Sequence, residues 1–142
     1  MKFATMQSAT DPLAGRQTLR ILIAEDHLDS RDALRALLEA FGYAVLVATN
    51  GQEAVEAALS ETPDLILMDI MMPVLDGFEA TRLLRRHPET RRTPIIAVTA
   101  MEGARELALH AGADDYVRKP IDIRALLAKV SGLLEREGGR PA

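Results

Sequence analysis

The sequence predicts an α/β fold, a doubly wound parallel sheet of five strands with five helices, and three observations carry that prediction. Short apolar runs bounded by turn formers recur along the chain, the pattern of strands covered on both faces. Between them lie longer segments whose apolar residues fall at helical spacing. The 142 residues, 48% of them apolar, suffice for one core and point to one domain. Strands alternating with helices pair in parallel through right-handed crossovers.

Residues 1–18 mix Ser, Thr, Gln, Gly and Pro without period and are expected to form a flexible tail. Leu19 to Ala24 reads as the first strand and empties into Glu25-Asp26. Leu34, Leu37, Leu38 and Phe41 then stand at i, i+3, i+4 and i+7, one apolar face of a helix that Asp29 or Ser30 can cap and Gly42 ends. Ala44 to Ala48 is the second strand, and Asn50-Gly51 opens a second helix through about Ser60, with Asn50 as cap. Asp64 to Met68, set between Thr62-Pro63 and Pro73, reads as the central strand, with Asp69 following where it should end. Asp76-Gly77 opens a third helix to about His87, and Pro94 to Thr99 is the fourth strand. An alanine-rich helix covers roughly 102–111, and Asp114 to Arg118 is a shorter, more polar strand suited to a sheet edge. After Lys119-Pro120 the last helix begins near Asp122 and buries Leu126, Leu127, Val130, Leu133 and Leu134. The domain is expected to cover 19–136, with 137–142 as a C-terminal tail.

Composition narrows the function. A net charge of −4 argues against binding nucleic acid through a basic surface. The absence of cysteine excludes disulfides and thiolate metal sites. No apolar run approaches the ~20 residues that cross a bilayer, and the first residues lack the apolar core of a signal peptide. A cytoplasmic protein is expected.

In open parallel sheets the carboxyl ends of the strands form the ligand crevice. Glu25 and Asp26 from strand one, Asp69 from strand three, Thr99 from strand four and Lys119 from strand five all fall there. Two carboxylates ~4 Å apart repel by about 4 kcal/mol at an effective dielectric of ~20. One lysine cannot neutralise three such groups. A hard divalent cation would, and Mg²⁺ is the usual choice where a few carboxylates meet a phosphate. A metal, a carboxylate nucleophile, a lysine and a hydroxyl are the components of phosphoryl transfer to an aspartate.

The residues Ile21-Leu-Ile-Ala-Glu-Asp26, Leu67-Met-Asp69-Ile-Met-Met-Pro73, Asp76-Gly77, Ala97-Val-Thr-Ala100 and Tyr116-Val-Arg-Lys-Pro120 stand in one order and spacing. In these motifs, over about residues 19–136, the chain resembles a response-regulator receiver domain of bacterial two-component signalling. The resemblance implies a flavodoxin-like sheet in the order 2-1-3-4-5, with the ligand site at the switch point between strands one and three. It implies that Asp69 is the phosphoacceptor, taking phosphate from the phosphohistidine of a histidine kinase or phosphotransfer protein. Asp26 would ligate Mg²⁺ directly, Glu25 mainly through water, and the Met71 backbone carbonyl would complete the protein ligands. Lys119 would pair with a phosphoryl oxygen, its bond to Pro120 would be cis, and Thr99 would hydrogen-bond the phosphate. Tyr116 matches the switch aromatic that swings inward as Thr99 moves, with a downstream protein partner bound by the face of helix 102–111, strand 114–118 and the last helix. Glu-Asp stands where Asp-Asp is also common in the family, which should leave metal binding intact.

The expected role is a single-domain signalling switch without an output domain, catalysing only its own phosphorylation and dephosphorylation. A receiver excised from a hybrid kinase or larger regulator is the alternative. A phosphohydrolase of the haloacid-dehalogenase type needs a second aspartate two residues after Asp69, where this chain has Met71. A nucleotide- or flavin-binding domain would need a glycine-rich loop after strand one. Met71 and Met101, each two residues beyond a site-lining strand end, should flank the approach of attacking water. His27, His87 and His110 are expected at loops or surfaces. Arg82, Arg85, Arg86, Arg91 and Arg92 are expected to be a solvated helix face and loop.

Overall fold

The structure, a computed structural model, describes residues 18–138. Most of the expected flexible tail (residues 1–17), and residues 139–142 of the C-terminal one, lie outside the described residues. Five strands alternate with five helices: β1 Arg20–Ala24, α1 Leu28–Ala40, β2 Ala44–Ala48, α2 Gly51–Glu61, β3 Leu65–Asp69, α3 Gly77–Arg86, β4 Ile95–Thr99, α4 Ala104–Ala111, β5 Asp115–Arg118 and α5 Ile123–Gly138. All pairings are parallel and the order is β2-β1-β3-β4-β5, the predicted doubly wound, flavodoxin-like sheet.

Successive residues of a strand point to opposite faces, and the core divides accordingly. Leu22, Ile66, Met68 and Ala97 face α2, α3 and α4, while Ile21, Ile23, Leu65, Leu67, Ile96 and Val98 face α1 and α5. β1, β3 and β4 therefore need apolar residues at almost every position, which is why they read as unbroken runs. The edge strand β2 is less covered, and Val47 is exposed.

Local chemistry sets most of the boundaries. Asn50 and Asp76 cap α2 and α3 by accepting the N–H groups of Glu53 at 2.8 Å and Glu79 at 2.9 Å. The start of α1 departs from expectation. The helix begins at Leu28 with His27 in the cap position, and neither Asp29 nor Ser30 caps it. The Glu25 carboxylate accepts the His27 N–H at 3.0 Å, so an acid upstream of the helix supplies the acceptor a cap would provide. β3 also ends one residue later than predicted, with Asp69 as its last member. α4 starts later, at Ala104, behind Gly103 at φ 75°, and α5 continues past the expected domain edge at 136 to Gly138.

Arg85 corrects the reading of the arginines. Its side chain is only 20% exposed and joins three segments. Nε donates to the Gly112 carbonyl at 2.9 Å, Nη1 to those of Thr90, Arg91 and Thr93 at 3.3, 3.2 and 2.7 Å, and Nη2 to Asp114 at 2.9 Å. The end of α3, the α3–β4 loop and the α4–β5 turn are thus tied by one guanidinium. Arg82 instead pairs with Glu79 on the exposed side of α3, as expected.

Gly77 is needed for space. A Cβ there would lie 2.3 Å from the Asp69 carbonyl oxygen and 2.7 Å from the Ile70 Cα, both backbone. Alanine gains up to about 1 kcal/mol over glycine inside a helix, but forcing backbone apart in a packed interior costs about 1–3 kcal/mol. Gly77→Ala is therefore expected to lower the melting temperature by several degrees, roughly 3–5 °C per kcal/mol for a domain of this size. A thermal denaturation curve equal to that of the wild type would refute the contact.

Candidate functional site

The strand ends converge as the sheet order requires. β1 and β3 are neighbours, with Ala24 opposite Met68, so Glu25-Asp26 and Asp69 arrive side by side. β4 pairs Val98 with Asp69, and the ladder continues through the Lys119 N–H, which donates to the Thr99 carbonyl at 2.9 Å. Glu25, Asp26, Asp69, Met71, Thr99 and Lys119 line one hollow of about 320 Å³, with His27, Ser30 and Ala100 at its wall. Of the residues the sequence placed at the site, only Tyr116 and Met101 are outside this lining, and Met101 lines the neighbouring hollow with Asp26 and Met71.

Within the hollow, Glu25 and Asp69 are buried, at 2% and 5% exposure, while Asp26 is exposed. Lys119 Nζ lies 2.9 Å from Glu25 and 3.4 Å from Asp69. The lysine therefore sits closer to Glu25 than to the expected acceptor, a pairing the sequence reading did not foresee. Burial alone would raise the pKa of Glu25, but the His27 N–H and Lys119 outweigh it and hold the group below its ordinary value. Asp69 goes the other way. Burial first, then the charge of Glu25, push it up to about 6, with Lys119 offsetting only part of the rise. For Lys119, burial favours the neutral amine, yet its bonds and charge contacts with Glu25 and Asp69 prevail and raise it. The site thus holds a charge imbalance that one lysine leaves unresolved.

One oxygen from each of Glu25, Asp26 and Asp69 can be placed within 4.8 Å of the others, a donor set of hard carboxylate oxygens that fits a divalent cation. Met71 follows in an open loop, its side chain 59% exposed and its N–H donating to Asp69 Oδ1 at 3.3 Å. That loop then turns sharply. Val74 has φ 71°, and the Leu75 N–H donates to the Pro73 carbonyl at 2.7 Å, closing a γ-turn of the strained, positive-φ kind.

Thr99 is fully buried, its hydroxyl oxygen accepting the Met101 N–H at 3.1 Å. Tyr116 is half-buried on β5 and its hydroxyl donates to the Met101 carbonyl at 3.3 Å. Both residues therefore bond to the β4–α4 loop, from opposite ends of Met101. The Lys119–Pro120 bond is cis. His27 and His110 are exposed and His87 ends α3, as expected of loop or surface histidines.

Among the described residues no helix is long and apolar enough to cross a membrane. The doubly wound sheet, with its acids and lysine gathered at the switch point, makes this a flavodoxin-like α/β domain with an acid-rich site at its strand ends. A family model described as the response regulator receiver domain matches residues 21–131, and the chain belongs to that family. It is 43% identical to protein PilH of Pseudomonas aeruginosa over 81% of this chain and 97% of that protein. It is 41% identical to response regulator MprA of Mycolicibacterium vanbaalenii over 83% of this chain, where it spans only 51% of the relative. Among solved structures, the receiver domain of sensor histidine kinase PA1611 from Pseudomonas aeruginosa superposes with a TM-score of 0.74 at 41% identity, covering 84% of this chain and 97% of that one. That domain has a magnesium ion coordinated in its active site cleft. Receiver domains are signalling switches rather than conventional enzymes.

Proposed function

We propose that this chain is a phosphorylation-activated switch that accepts a phosphoryl group on Asp69 from the phosphohistidine of a histidine kinase or phosphotransfer protein. The observation that carries the reading is the buried Asp69 carboxylate at the end of β3, flanked by Lys119 and two further acids in one solvent-accessible hollow. A carboxylate oxygen of Asp69 attacks phosphorus, the P–O bond forms, the P–N bond of the donor breaks, and the imidazole leaves. Lys119 lies where it can hold a phosphoryl oxygen once its contact with Asp69 is given up. Glu25, Asp26, Asp69 and the Met71 backbone carbonyl would hold Mg²⁺, which when bound supplies charge neutralisation for the incoming phosphoryl oxygens.

Thr99 is the hydroxyl nearest to exchanging its Met101 bond for a phosphoryl oxygen. Because Tyr116 bonds the same residue, a change at Thr99 reaches the β4–α4 loop and with it α4, β5 and α5. That face would bind a downstream protein. Nucleic acid is not the expected partner of a chain with net charge −4, and the cytoplasm is the expected location. The reading is the same for a free-standing domain and for one carried in a longer regulator.

The test is labelling by acetyl phosphate or a phosphorylated histidine kinase in the presence of Mg²⁺. The wild type should take up base- and hydroxylamine-labile phosphate, and Asp69→Asn should take up none. Label that persists in the variant would assign the chemistry to another residue. Millimolar Mg²⁺ should also raise the melting temperature, because it binds the folded state alone, and Asp26→Asn should reduce that rise. A melting curve unmoved by Mg²⁺ would exclude the acid cluster as its site.

A further inference from the structure

We propose that Arg31 is a positioning residue for the Glu25-Asp26 acid pair, holding the β1–α1 turn in the shape that cation binding uses. This rests on the Mg²⁺ site proposed above and adds a residue to it from the helix that follows. Arg31 stands on the second turn of α1 and reaches back over the helix start. Its Nη1 donates to the Glu25 carbonyl at 3.0 Å and approaches the Asp26 carbonyl at 3.4 Å. A guanidinium beside an acid cluster would be expected to pair with a carboxylate, yet these bonds go to backbone carbonyls.

α1 lacks a side-chain cap, so its entry depends on the Glu25 carboxylate from above, through the His27 N–H, and on Arg31 from below. Glu25 is also engaged by Lys119. Asp26 is exposed and has no such anchor for its carboxylate, so its direction is set by the backbone that Arg31 holds. Both bonds leave one nitrogen, Nη1, so reach decides the contact: a lysine ends one atom short of it on a flexible, strongly hydrated stem and holds the two carbonyls less well.

Charge and geometry predict opposite signs, which makes the proposal decidable. If Arg31 acted only as a nearby positive charge, removing it would tighten Mg²⁺ binding, because a cation near a dication repels it. If it positions the acids, removing it loosens binding, by about tenfold, the lower range seen when groups orienting metal ligands are lost. Arg31→Met removes charge and donors together, while Arg31→Lys keeps the charge on a shorter stem. Mg²⁺ affinity would be measured by calorimetry on the wild type and both variants, with amide hydrogen exchange at His27 followed in the absence of metal. The expected result is an affinity about tenfold weaker in both variants and His27 exchange faster by a similar factor. A Met variant that binds Mg²⁺ as tightly as the wild type or tighter, or a Lys variant that binds like the wild type, overturns the proposal. Should the wild type itself show no Mg²⁺ binding, the functional reading fails, and unchanged His27 exchange would then refute the role of Arg31 on its own.

Discussion

Replacing Lys119 by methionine is expected to lower the melting temperature of the metal-free protein by roughly 10 °C at pH 7.5. The lysine is the one cation within ion-pairing distance of Glu25 and Asp69 among the described residues, and both acids are buried. Removing one partner of a buried ion pair costs about 3–5 kcal/mol. Because the lysine side chain is itself 27% exposed, solvent screening brings the figure down to about 2–3 kcal/mol. Two adjacent buried carboxylates without a counter-charge are relieved by proton uptake, so the folded variant gains protons that the unfolded chain does not. Its deficit relative to the wild type should therefore shrink as the pH falls towards 5. Mg²⁺ should also raise its melting temperature by more than it raises that of the wild type. A variant as stable as the wild type at pH 7.5 without metal would show that the ion pairs contribute nothing.

Asp69→Asn works in the opposite direction. The folded-state pKa of about 6 lies above the ordinary value of 3.8, so the ionised aspartate is disfavoured by the fold. For an acid raised in this way the penalty is absent below about 3.8, grows between the two values and is complete above about 6. Some two units, already net of the Lys119 contact, correspond to about 3 kcal/mol at 1.36 kcal/mol per unit, and an amide's imperfect hydrogen bonding in place of the acid reduces the gain to about 1–2 kcal/mol. The metal-free asparagine variant should thus melt about 5 °C higher than the wild type at pH 7.5 and at nearly the same temperature at pH 4. Comparing the two proteins at each pH removes the carboxylates they share. A variant less stable than the wild type at pH 7.5 would mean that Asp69 stabilises the fold, and that the proposed acceptor is not held under electrostatic stress.

Much of this was legible in the sequence, because the signals were local. The run Asp64 to Met68 between turn formers marked β3, and the 3.6-residue period of Leu34, Leu37, Leu38 and Phe41 marked α1, although Phe41 itself lies beyond the helix and is exposed. Asn50 and Asp76 announced helix starts because their acceptors act within three residues. Strand ends then gathered Glu25, Asp26, Asp69, Thr99 and Lys119 with no further information than sheet direction. What escaped depends on contacts far apart in the chain or on the choice among near-equivalent partners. Lys119 and Glu25 are separated by 94 positions, and no local pattern tells which of three acids the lysine will favour. The start of α1 was misplaced because an upstream glutamate, rather than a capping Asp or Ser, holds the helix entry through the N–H of His27. Arg85 looked like one more surface arginine. Only the fold shows that Gly112, Asp114 and the α3–β4 loop surround it.

That guanidinium also limits how α4 can respond to anything done at the other end of the sheet. The helix is moored at its C-terminal end through Gly112 and Asp114, while its N-terminal end is preceded by Gly103, with no side-chain cap and open space where a Cβ would lie. A rigid rod fastened at one end can tilt but not slide. Eight residues at ~1.5 Å each make an arm of about 12 Å, so a tilt of ~10° would carry the N-terminal end about 2 Å and the moored end almost nowhere. Leu107, exposed halfway along the arm, would travel about half as far. Arg85 would then be the fulcrum of the helix, and a displacement at Met101 would be graded along its length.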